Sequence, residues 1–302
     1  MKKVQFFSVA IILAIIAICG CSNDSEEENS AANVSPVELS EETAKEILGS
    51  NYWNMESIEI PANVISISEN VFSRSEYKLV KGAWWTWITT SSNIKKITFQ
   101  KGSRLRNIDK KAFYKCKLES IELPEGLEKI DNYAFYNCPF KELKIPKSVT
   151  SIGESAFRYC SSLSKIVIPN SVTSIRESAF RYCSSLSKIV IPNSVTSIGH
   201  YAFRNCSNLS EVVIPNSVTS IGYEAFSDCS NLLEIVIPNS VTVIGIRAFY
   251  GCSNLKSAVF ENQNWCGIND YGQHFEINPN IFESKEKTAD WLKIDGHGLE
   301  RL

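Results

Sequence analysis

The sequence predicts a repeat solenoid of about nine coils, each of 22 or 23 residues, with a parallel β-sheet on one face, short helical turns on the other and helical caps. Two observations predict it: cysteines recur every 22 or 23 residues, and a phenylalanine precedes each by three positions. The net charge of −2 gives no reason to expect nucleic-acid binding. The seven pairs are Phe113 with Cys116, Phe135 with Cys138, Phe157 with Cys160, Phe180 with Cys183, Phe203 with Cys206, Phe226 with Cys229, and Phe249 with Cys252.

The repeat unit that ends at Cys183 shows how one coil is expected to fold. Ile166 and Ile168 alternate with polar or outward positions, as a short strand with one buried face requires. Pro169 lacks an amide donor and ends the strand. Phe180 and Cys183 lie three residues apart, which places them on one side of a predicted helical turn. A single coil cannot bury these side chains, but stacked coils can.

The repeat also has a residue pattern that resembles a known one. Residues 168–183 carry the pattern Ile-Pro-x-Ser-Val-Thr-x-Ile-Gly-x-x-Ala-Phe-x-x-Cys, except that Arg176 replaces the glycine. This pattern resembles the BspA type of leucine-rich repeat, and the resemblance covers about residues 55–260. The first unit departs from it, because Ser75 stands where the cysteine is expected. The resemblance implies a non-enzymatic bacterial surface protein of the kind implicated in adhesion to host matrix proteins or to other bacteria.

Residues 1–20 resemble a lipoprotein signal peptide. Lys2 and Lys3 form a basic start, and the apolar run that follows is shorter than the roughly 20 residues a membrane-spanning helix needs. Gly20 and Cys21 match a bacterial lipobox, which implies that Cys21 is lipidated. A simple secretory signal or an uncleaved anchor is the alternative. The predicted location is therefore extracytoplasmic, on the outer membrane or cell surface of a bacterium, with membrane contact only through the N-terminal lipid.

The segment after the signal contains a tether and a cap. Residues 21–38 are rich in Ser, Asn and Glu and are predicted to form an acidic flexible tether, which either directs export to the outer face or is a plain linker. Residues 39–54 are predicted to form an N-terminal cap. Ser40 can cap a short helix that Gly49 ends.

The solenoid is predicted over residues 55–260, and the C-terminal cap over 261–302. Residues 261–283 are rich in Asn, Asp and Gly, which predicts a loop. Ser284 can then cap a helix that carries Trp291. Open solenoids need such atypical ends to cover their last apolar coil.

The cysteine series could hold metal ions, form disulfides or be buried. Metal sites prefer close spacings such as Cys-x2-Cys, whereas here each coil carries one cysteine. We therefore expect a ladder of free, buried thiols, with no metal site and no cofactor. Cys266 with His274 or His297 is the only arrangement reminiscent of a Cys/His hydrolase, but no nucleophile motif surrounds them. No catalytic residue is predicted.

The outward positions of the predicted strands form two columns on the sheet face. One column could be a contact stripe with an apolar centre and a charged rim, or only strand-forming residues copied by duplication. The sequence leaves both open. The apolar column is Val167, Val190, Val213, Val236 and Val259, and the charged column is Lys165, Lys188, Glu211 and Glu234.

An insertion over residues 76–93 interrupts the first repeat. It contains Trp84, Trp85 and Trp87. Tryptophan is enriched at binding hot spots, so the insertion could bind a partner or a sugar. The alternative, which we favour, is a hairpin folded back over the early coils with its rings packed.

Two functional hypotheses follow. The first is a cell-surface interaction protein, adhesin-like, that binds host or bacterial surface proteins through the exposed sheet. The second is a carbohydrate-capturing surface lipoprotein that uses the tryptophan-rich insertion to bind a glycan.

Overall fold

The structure is a computed structural model, and it describes residues 34–79, 85–261, 265–268, 274–276, 283–294 and 298–301. The predicted signal peptide, Cys21, most of the predicted tether, Trp84 and His297 lie outside the described residues. Among the helices that are described, none has the length and apolar character needed to cross a bilayer.

The predicted parallel sheet is present, and we call it the long-strand sheet. Its strands pair in parallel in four groups of adjacent coils, for example Lys188 with Glu211 and Val190 with Val213. Isoleucines in these strands point inward and the residues between them point outward, as the alternation predicts. The strands are Ser57–Ile60, Lys96–Phe99, Ser120–Ile121, Glu142–Lys144, Lys165–Val167, Lys188–Val190, Glu211–Val213, Glu234–Ile237 and Ser257–Phe260.

Each coil also contributes a second parallel strand, and these strands, here called the short-strand sheet, pair in two groups that divide after Ser151–Ile152; the sequence does not predict them. After the four-residue first strand, each has two residues, which is too short to show an alternating pattern. The second residue of each two-residue strand is an isoleucine buried in the core, as Ile175 and Ile198 are. The strands are Val64–Ile67, Asn107–Ile108, Lys129–Ile130, Ser151–Ile152, Ser174–Ile175, Ser197–Ile198, Ser220–Ile221 and Val243–Ile244.

The third side of each coil, here called the turn face, is a run of turns that ends at the repeat cysteine. The predicted helical turn is wrong in detail. The amides of Ser178, Phe180 and Tyr182 donate to carbonyls of the following coil at 2.8–2.9 Å, and the amides between them donate within their own coil. Ser178 and Tyr182 have φ values of 54° and 64°. Left-handed residues persist here because bonds between coils hold them, whereas a helix would keep its bonds internal.

The repeat phenylalanines form the centre of the core. From Phe72 to Phe249, consecutive rings are stacked with centroids 5.1–5.6 Å apart and planes within 11° of parallel. All of these rings are buried. Because each ring is covered on both faces except at the ends, the column ties every coil to its neighbours.

The cysteine ladder lies beside this column, and the expected free, buried thiols are confirmed from Cys116 to Cys252. Each Sγ donates to the carbonyl oxygen of the phenylalanine in the preceding coil, as Cys183 does to Phe157 at 3.2 Å. Burial raises the pKa of the Cys160 and Cys206 thiols to about 12. The thiols are therefore neutral small hydrophobes in the core.

The insertion begins earlier than predicted. Strands Ser73–Leu79 and Trp85–Ser91 form an antiparallel hairpin in which Ser73 pairs with Ser91. The amide of Ser92 then donates to the carbonyl of Phe72 at 3.0 Å, the bond that each ladder cysteine makes within its own coil. Ser92, not Ser75, therefore occupies the cysteine position of the first coil, and the insertion runs over 73–91 rather than 76–93.

The N-terminal cap contains the predicted helix, Glu41–Leu48, followed by a 3-10 turn, Tyr52–Asn54. Ser40 caps the helix, because its Oγ accepts from the amide of Thr43 at 3.3 Å and the Thr43 hydroxyl accepts from the Ser40 amide at 2.8 Å. The tether prediction is wrong at its end. Val37 and Glu38 belong to strand Val37–Leu39, which extends the short-strand sheet and satisfies its edge.

The C-terminal cap contains helix Lys285–Ile294, with the Ser284 Oγ accepting from the amide of Lys287 at 3.2 Å. The loop prediction over 261–283 is wrong in part. Strands Trp265–Ile268 and His274–Glu276 lie within it. With Gly298–Arg301 they continue the short-strand sheet beyond Val243–Ile244 as antiparallel strands. The reversal of direction ends the parallel stack.

Candidate interaction surfaces

The valine stripe is the column Val167, Val190, Val213, Val236 and Val259 on the outer face of the long-strand sheet. The side chains are 41–61% exposed, although their neighbours in sequence are buried. Val190 pairs directly with Val213, and Val236 with Val259. The strands place these side chains in line because parallel pairing in register stacks equivalent positions. The five valines are thus exposed at the same position of five successive coils, and a binding role for them stays a prediction.

Charged side chains run beside the stripe in the neighbouring outward column. Lys165 and Lys188 are followed by Glu211 and Glu234, and all four are exposed. The Lys188 Nζ lies 2.7 Å from Glu211 Oε1. An exposed pair of this kind contributes at most about 1 kcal/mol to stability, so both groups are available to exchange partners. The rim is basic at one end and acidic at the other.

A groove of about 660 Å³ lies next to the first valine of the stripe. Its floor is apolar, formed by Ile121 and Leu143 among others, and Glu122, Glu142 and Lys144 stand around it. Val167 also lines this groove. The sheet face therefore offers a hollow with a charged rim that continues directly into the valine stripe.

The hairpin is the second surface that the sequence singles out. Trp85 and Trp87 lie in its second strand, paired with Leu79 and Tyr77, and Trp84 lies outside the described residues. The backbone hairpin agrees with the favoured interpretation of the insertion. Neither the packing of its rings nor a binding role is tested, and both stay predictions.

The turn face carries a third surface, which the sequence analysis missed. Tyrosines and arginines of successive coils stack along the solenoid axis. Tyr159 and Tyr182 have ring centroids 4.5 Å apart, and the Arg181 guanidinium lies 5.2 Å from the Tyr182 centroid and 4.8 Å from that of Tyr201. We call this set the tyrosine–arginine row: Tyr114, Tyr136, Arg158, Tyr159, Arg181, Tyr182, Tyr201 and Arg204. The signal for it was the repeated Phe-Arg-Tyr-Cys.

The arginines of the row differ in their acidic partners. Arg204 forms an ion pair with the buried Glu224 and lies 3.8 Å from Asp228. Arg158 and Arg181, in contrast, have no ion pair among the described residues. Burial raises the pKa of Tyr136 to about 12, so this hydroxyl stays neutral at physiological pH. The row is thus cationic in its middle.

Of the residues considered for catalysis, Cys266 and the backbone of His274 are among the described residues, and His297 is not. Cys266 is buried, and its Sγ donates to the carbonyl of Glu300 at 3.4 Å. The strand that contains His274 pairs that residue with Ile268 rather than with Cys266. His200 lies exposed on the turn face, where its Nδ1 accepts from the amide of Tyr223 at 2.8 Å. Over the described residues, no three His, Cys, Asp or Glu side chains are grouped to hold a metal ion.

Comparison with known proteins identifies the repeat. The family model for the BspA type leucine rich repeat region matches six copies over residues 43–81, 89–193 and 173–274. No curated protein matches the chain.

Three solved structures illustrate the similarity. A leucine-rich repeat protein from Bacteroides ovatus is 30% identical, with a TM-score of 0.51 over 68% of this chain and 58% of that one. A leucine rich cell surface protein from Faecalibacterium prausnitzii is 27% identical, with a TM-score of 0.47 over 68% and 61%. A leucine-rich repeat protein from T. pallidum is 29% identical, with a TM-score of 0.42 over 66% and 78%. The chain thus spans about three fifths of the first two structures. By its repeats and by its solenoid, the chain belongs to the BspA-type leucine-rich repeat family.

Proposed function

We propose that this chain is a cell-surface interaction protein, adhesin-like, whose valine stripe binds a protein on a host or bacterial surface. The observation that carries the proposal is the exposure of a valine at the same outward strand position in five successive coils. An apolar ridge with a polar rim is typical of protein interfaces. A solenoid presents such a ridge without rearrangement, because its coils are fixed by the core.

The stripe supplies a useful part of a binding energy. Fully burying a valine is worth about 1.5–3 kcal/mol, and these valines are already about half-buried. Covering one therefore contributes about 1 kcal/mol, and covering all five about 5 kcal/mol before the costs of association. The remainder has to come from the charged rim and the groove beside Val167. The partner expected from this surface has its own apolar ridge, acidic opposite Lys165 and Lys188 and basic opposite Glu211 and Glu234.

The proposed location supports this role. In the proposal, Cys21 carries a lipid and the acidic segment that follows holds the solenoid away from the membrane of a bacterium. The described tether end at Val37 leaves about fifteen residues between the lipid and the first strand. A similar protein from Faecalibacterium prausnitzii is described as a cell surface protein.

The test is binding of the purified chain to an array of matrix proteins, bacterial surface proteins and glycans. The variant Val190→Asp with Val213→Asp introduces two charges into the stripe, and should lose a protein signal by about a hundredfold because each buried, unpaired carboxylate costs at least 1.4 kcal/mol. Val243→Asp is the matched control, since Val243 is 37% exposed but lies in the short-strand sheet. If both variants retain the protein signal, the valine stripe is not the surface that binds the protein.

The second candidate is capture of a carbohydrate by the insertion. The observation that favours it is the hairpin itself, which holds Trp85 and Trp87 on a strand outside the regular coil. On the same array, a glycan signal lost in Trp84→Ala with Trp85→Ala but retained in the valine variant supports this candidate. A glycan signal that survives the tryptophan changes contradicts it.

A further inference from the structure

We propose that the tyrosine–arginine row binds an anionic polysaccharide that lies along the solenoid axis on the turn face. This site is separate from the valine stripe, which lies on the long-strand sheet. Its ligand is defined by chemistry: a linear chain of sugars that carry sulfate or carboxylate groups.

The turn face is basic from residue 109 to residue 206, although the chain is acidic overall and the next turn, 222–229, carries the acidic Glu224 and Asp228. The five turn segments 109–117, 131–138, 153–160, 176–183 and 199–206 carry eight Lys or Arg and four Asp or Glu. The whole chain, in contrast, has a net charge of −2. Local excess positive charge of this kind concentrates anions at the surface, and the effect falls as salt is added.

The arginines in the middle of the row are prepared for an anion. Arg158 lies 5.1 Å from the Tyr159 ring centroid, and Arg181 lies between the rings of Tyr182 and Tyr201. Contact with the rings restricts each guanidinium, so its N–H groups lose less freedom when they bind a carboxylate or a sulfate. Both residues are partly exposed, and neither has an ion pair among the residues that the structure describes. Their positive charge is available.

The spacing of the row suits a chain rather than a single small anion. Arg158, Arg181 and Arg204 occupy the same position in three successive coils, directly after the stacked phenylalanines. The rings beside them are one coil apart, with centroids 4.5 Å apart for Tyr159 and Tyr182. At the other end of the row, Lys111 and Lys115 lie 5.9 and 5.3 Å from the Tyr114 centroid. A linear polyanion along the axis therefore meets Lys111 and Lys115 at one end and Arg158 and Arg181 in the middle, with one coil between them that has no cation in its turn.

The packing of the tyrosine rings favours a polysaccharide over a nucleic acid as the ligand. Proteins bind single-stranded nucleic acid by stacking bases on open aromatic faces. Here the faces are occupied, because Tyr114 stacks on Tyr136, Tyr159 stacks on Tyr182, and arginines cover the rings that follow. The row offers guanidinium and hydroxyl groups at its edge, and these bind sulfate, carboxylate and sugar hydroxyl groups.

The experiment measures binding of the purified chain to four immobilised polymers: heparin, polygalacturonate, neutral dextran and single-stranded poly-dT. We expect binding to heparin, to polygalacturonate or to both, and none to dextran. The two charged polysaccharides distinguish sulfate from carboxylate as the recognised group. Binding should weaken when sodium chloride is raised, because the contacts are ionic.

Two matched variants remove two positive charges each from neighbouring coils. Arg158→Gln with Arg181→Gln should weaken polysaccharide binding at least about a hundredfold, since each of the two lost charge-assisted bonds is worth about 1.4 kcal/mol or more. Lys165→Gln with Lys188→Gln changes the net charge equally but lies on the long-strand sheet, so it should bind within about twofold of the unchanged chain.

A third variant separates geometry from charge and protects the test against misfolding. Arg158→Lys with Arg181→Lys keeps the charge but loses the planar fork, and should bind with intermediate affinity. The proposal is overturned if neither charged polysaccharide binds, if poly-dT binds as tightly as they do, or if the lysine pair on the sheet costs as much affinity as the arginine pair.

Discussion

The stacked phenylalanine column leads to a sharp prediction for Phe180→Ala. Phe180 is fully buried, with Phe157 stacked at 5.4 Å on one face and Phe203 at 5.5 Å on the other. Removing a buried phenylalanine side chain costs about 3–5 kcal/mol. We expect about 4–5 kcal/mol here, because rings held on both sides by the coil backbones cannot collapse into the gap.

Phe249→Ala is the matched comparison. Phe249 is equally buried but stacks on a single member of the column, Phe226 at 5.4 Å. Loss of one aromatic pair instead of two makes its cost smaller by about 1 kcal/mol.

Urea unfolding followed by two probes measures both variants. Far-ultraviolet circular dichroism reports every coil, whereas fluorescence reports the ends, because the six tryptophans all lie before residue 90 or after residue 260. Since each coil contacts only its neighbours, a defect at Phe180 should divide the solenoid and separate the two midpoints. A loss below about 1 kcal/mol for Phe180→Ala, or equal losses for the two variants, would refute a column that holds the coils together.

Three further predictions concern the ladder and the turns. Ser92→Cys should stabilise the chain by about 1 kcal/mol in urea unfolding. The larger thiol fills a gap between Phe72 and Cys116 that has no room for water, and the change removes a buried hydroxyl. A loss of stability would contradict the assignment of Ser92 to the cysteine position. Burial raises the pKa of the Cys160 thiol to about 12, so the stabilisation by this thiol is full below pH 9 and is lost as the pH rises toward 12. Between pH 8 and 10, the unfolding free energy of Cys160→Ala should therefore fall by about 1 kcal/mol less than that of the unchanged chain. Equal falls would contradict the raised pKa of Cys160. Lys115→Gly should raise the unfolding free energy by up to about 1 kcal/mol, because Lys115 has a φ of 56° and an exposed side chain. Lys117→Gly is the control and should lower the unfolding free energy. The reverse order would show that the left-handed turn is not strained.

The parts of the fold that were predictable are those that the residues of a single repeat determine. Ile166 and Ile168 alternate with Val167, so the strand, its buried face and its exposed valine all follow from period 2. Phe180 and Cys183 recur in every coil, so their burial follows from the need to line up equivalent apolar positions.

The parts that were missed depend on contacts between coils. Ser174–Ile175 is too short for a strand to be predicted from its sequence, and the strand with which it pairs belongs to the next coil. Left-handed Ser178 and Tyr182 oppose local preference and are held by bonds to the following coil.

The tyrosine–arginine row was missed for a related reason. Tyr136 follows its phenylalanine by one position and Tyr159 follows its own by two, so the tyrosines of the row are not a column of the sequence repeat, although its arginines are. Their rings meet only because coils stack, at a centroid distance of 5.3 Å. Likewise, Ser92 is displaced along the sequence by the hairpin and is recognisable only by its bond to Phe72.

The most direct test of the proposed function is the affinity of the isosteric variant Val190→Thr with Val213→Thr for the protein that the array identifies. Threonine keeps the shape and strand preference of valine, so unfolding stability should change by less than about 1 kcal/mol. Two hydroxyl groups buried without partners should nevertheless raise the Kd at least about tenfold. A Kd within about twofold of the unchanged chain, at equal stability, would show that the valine stripe is not the binding surface.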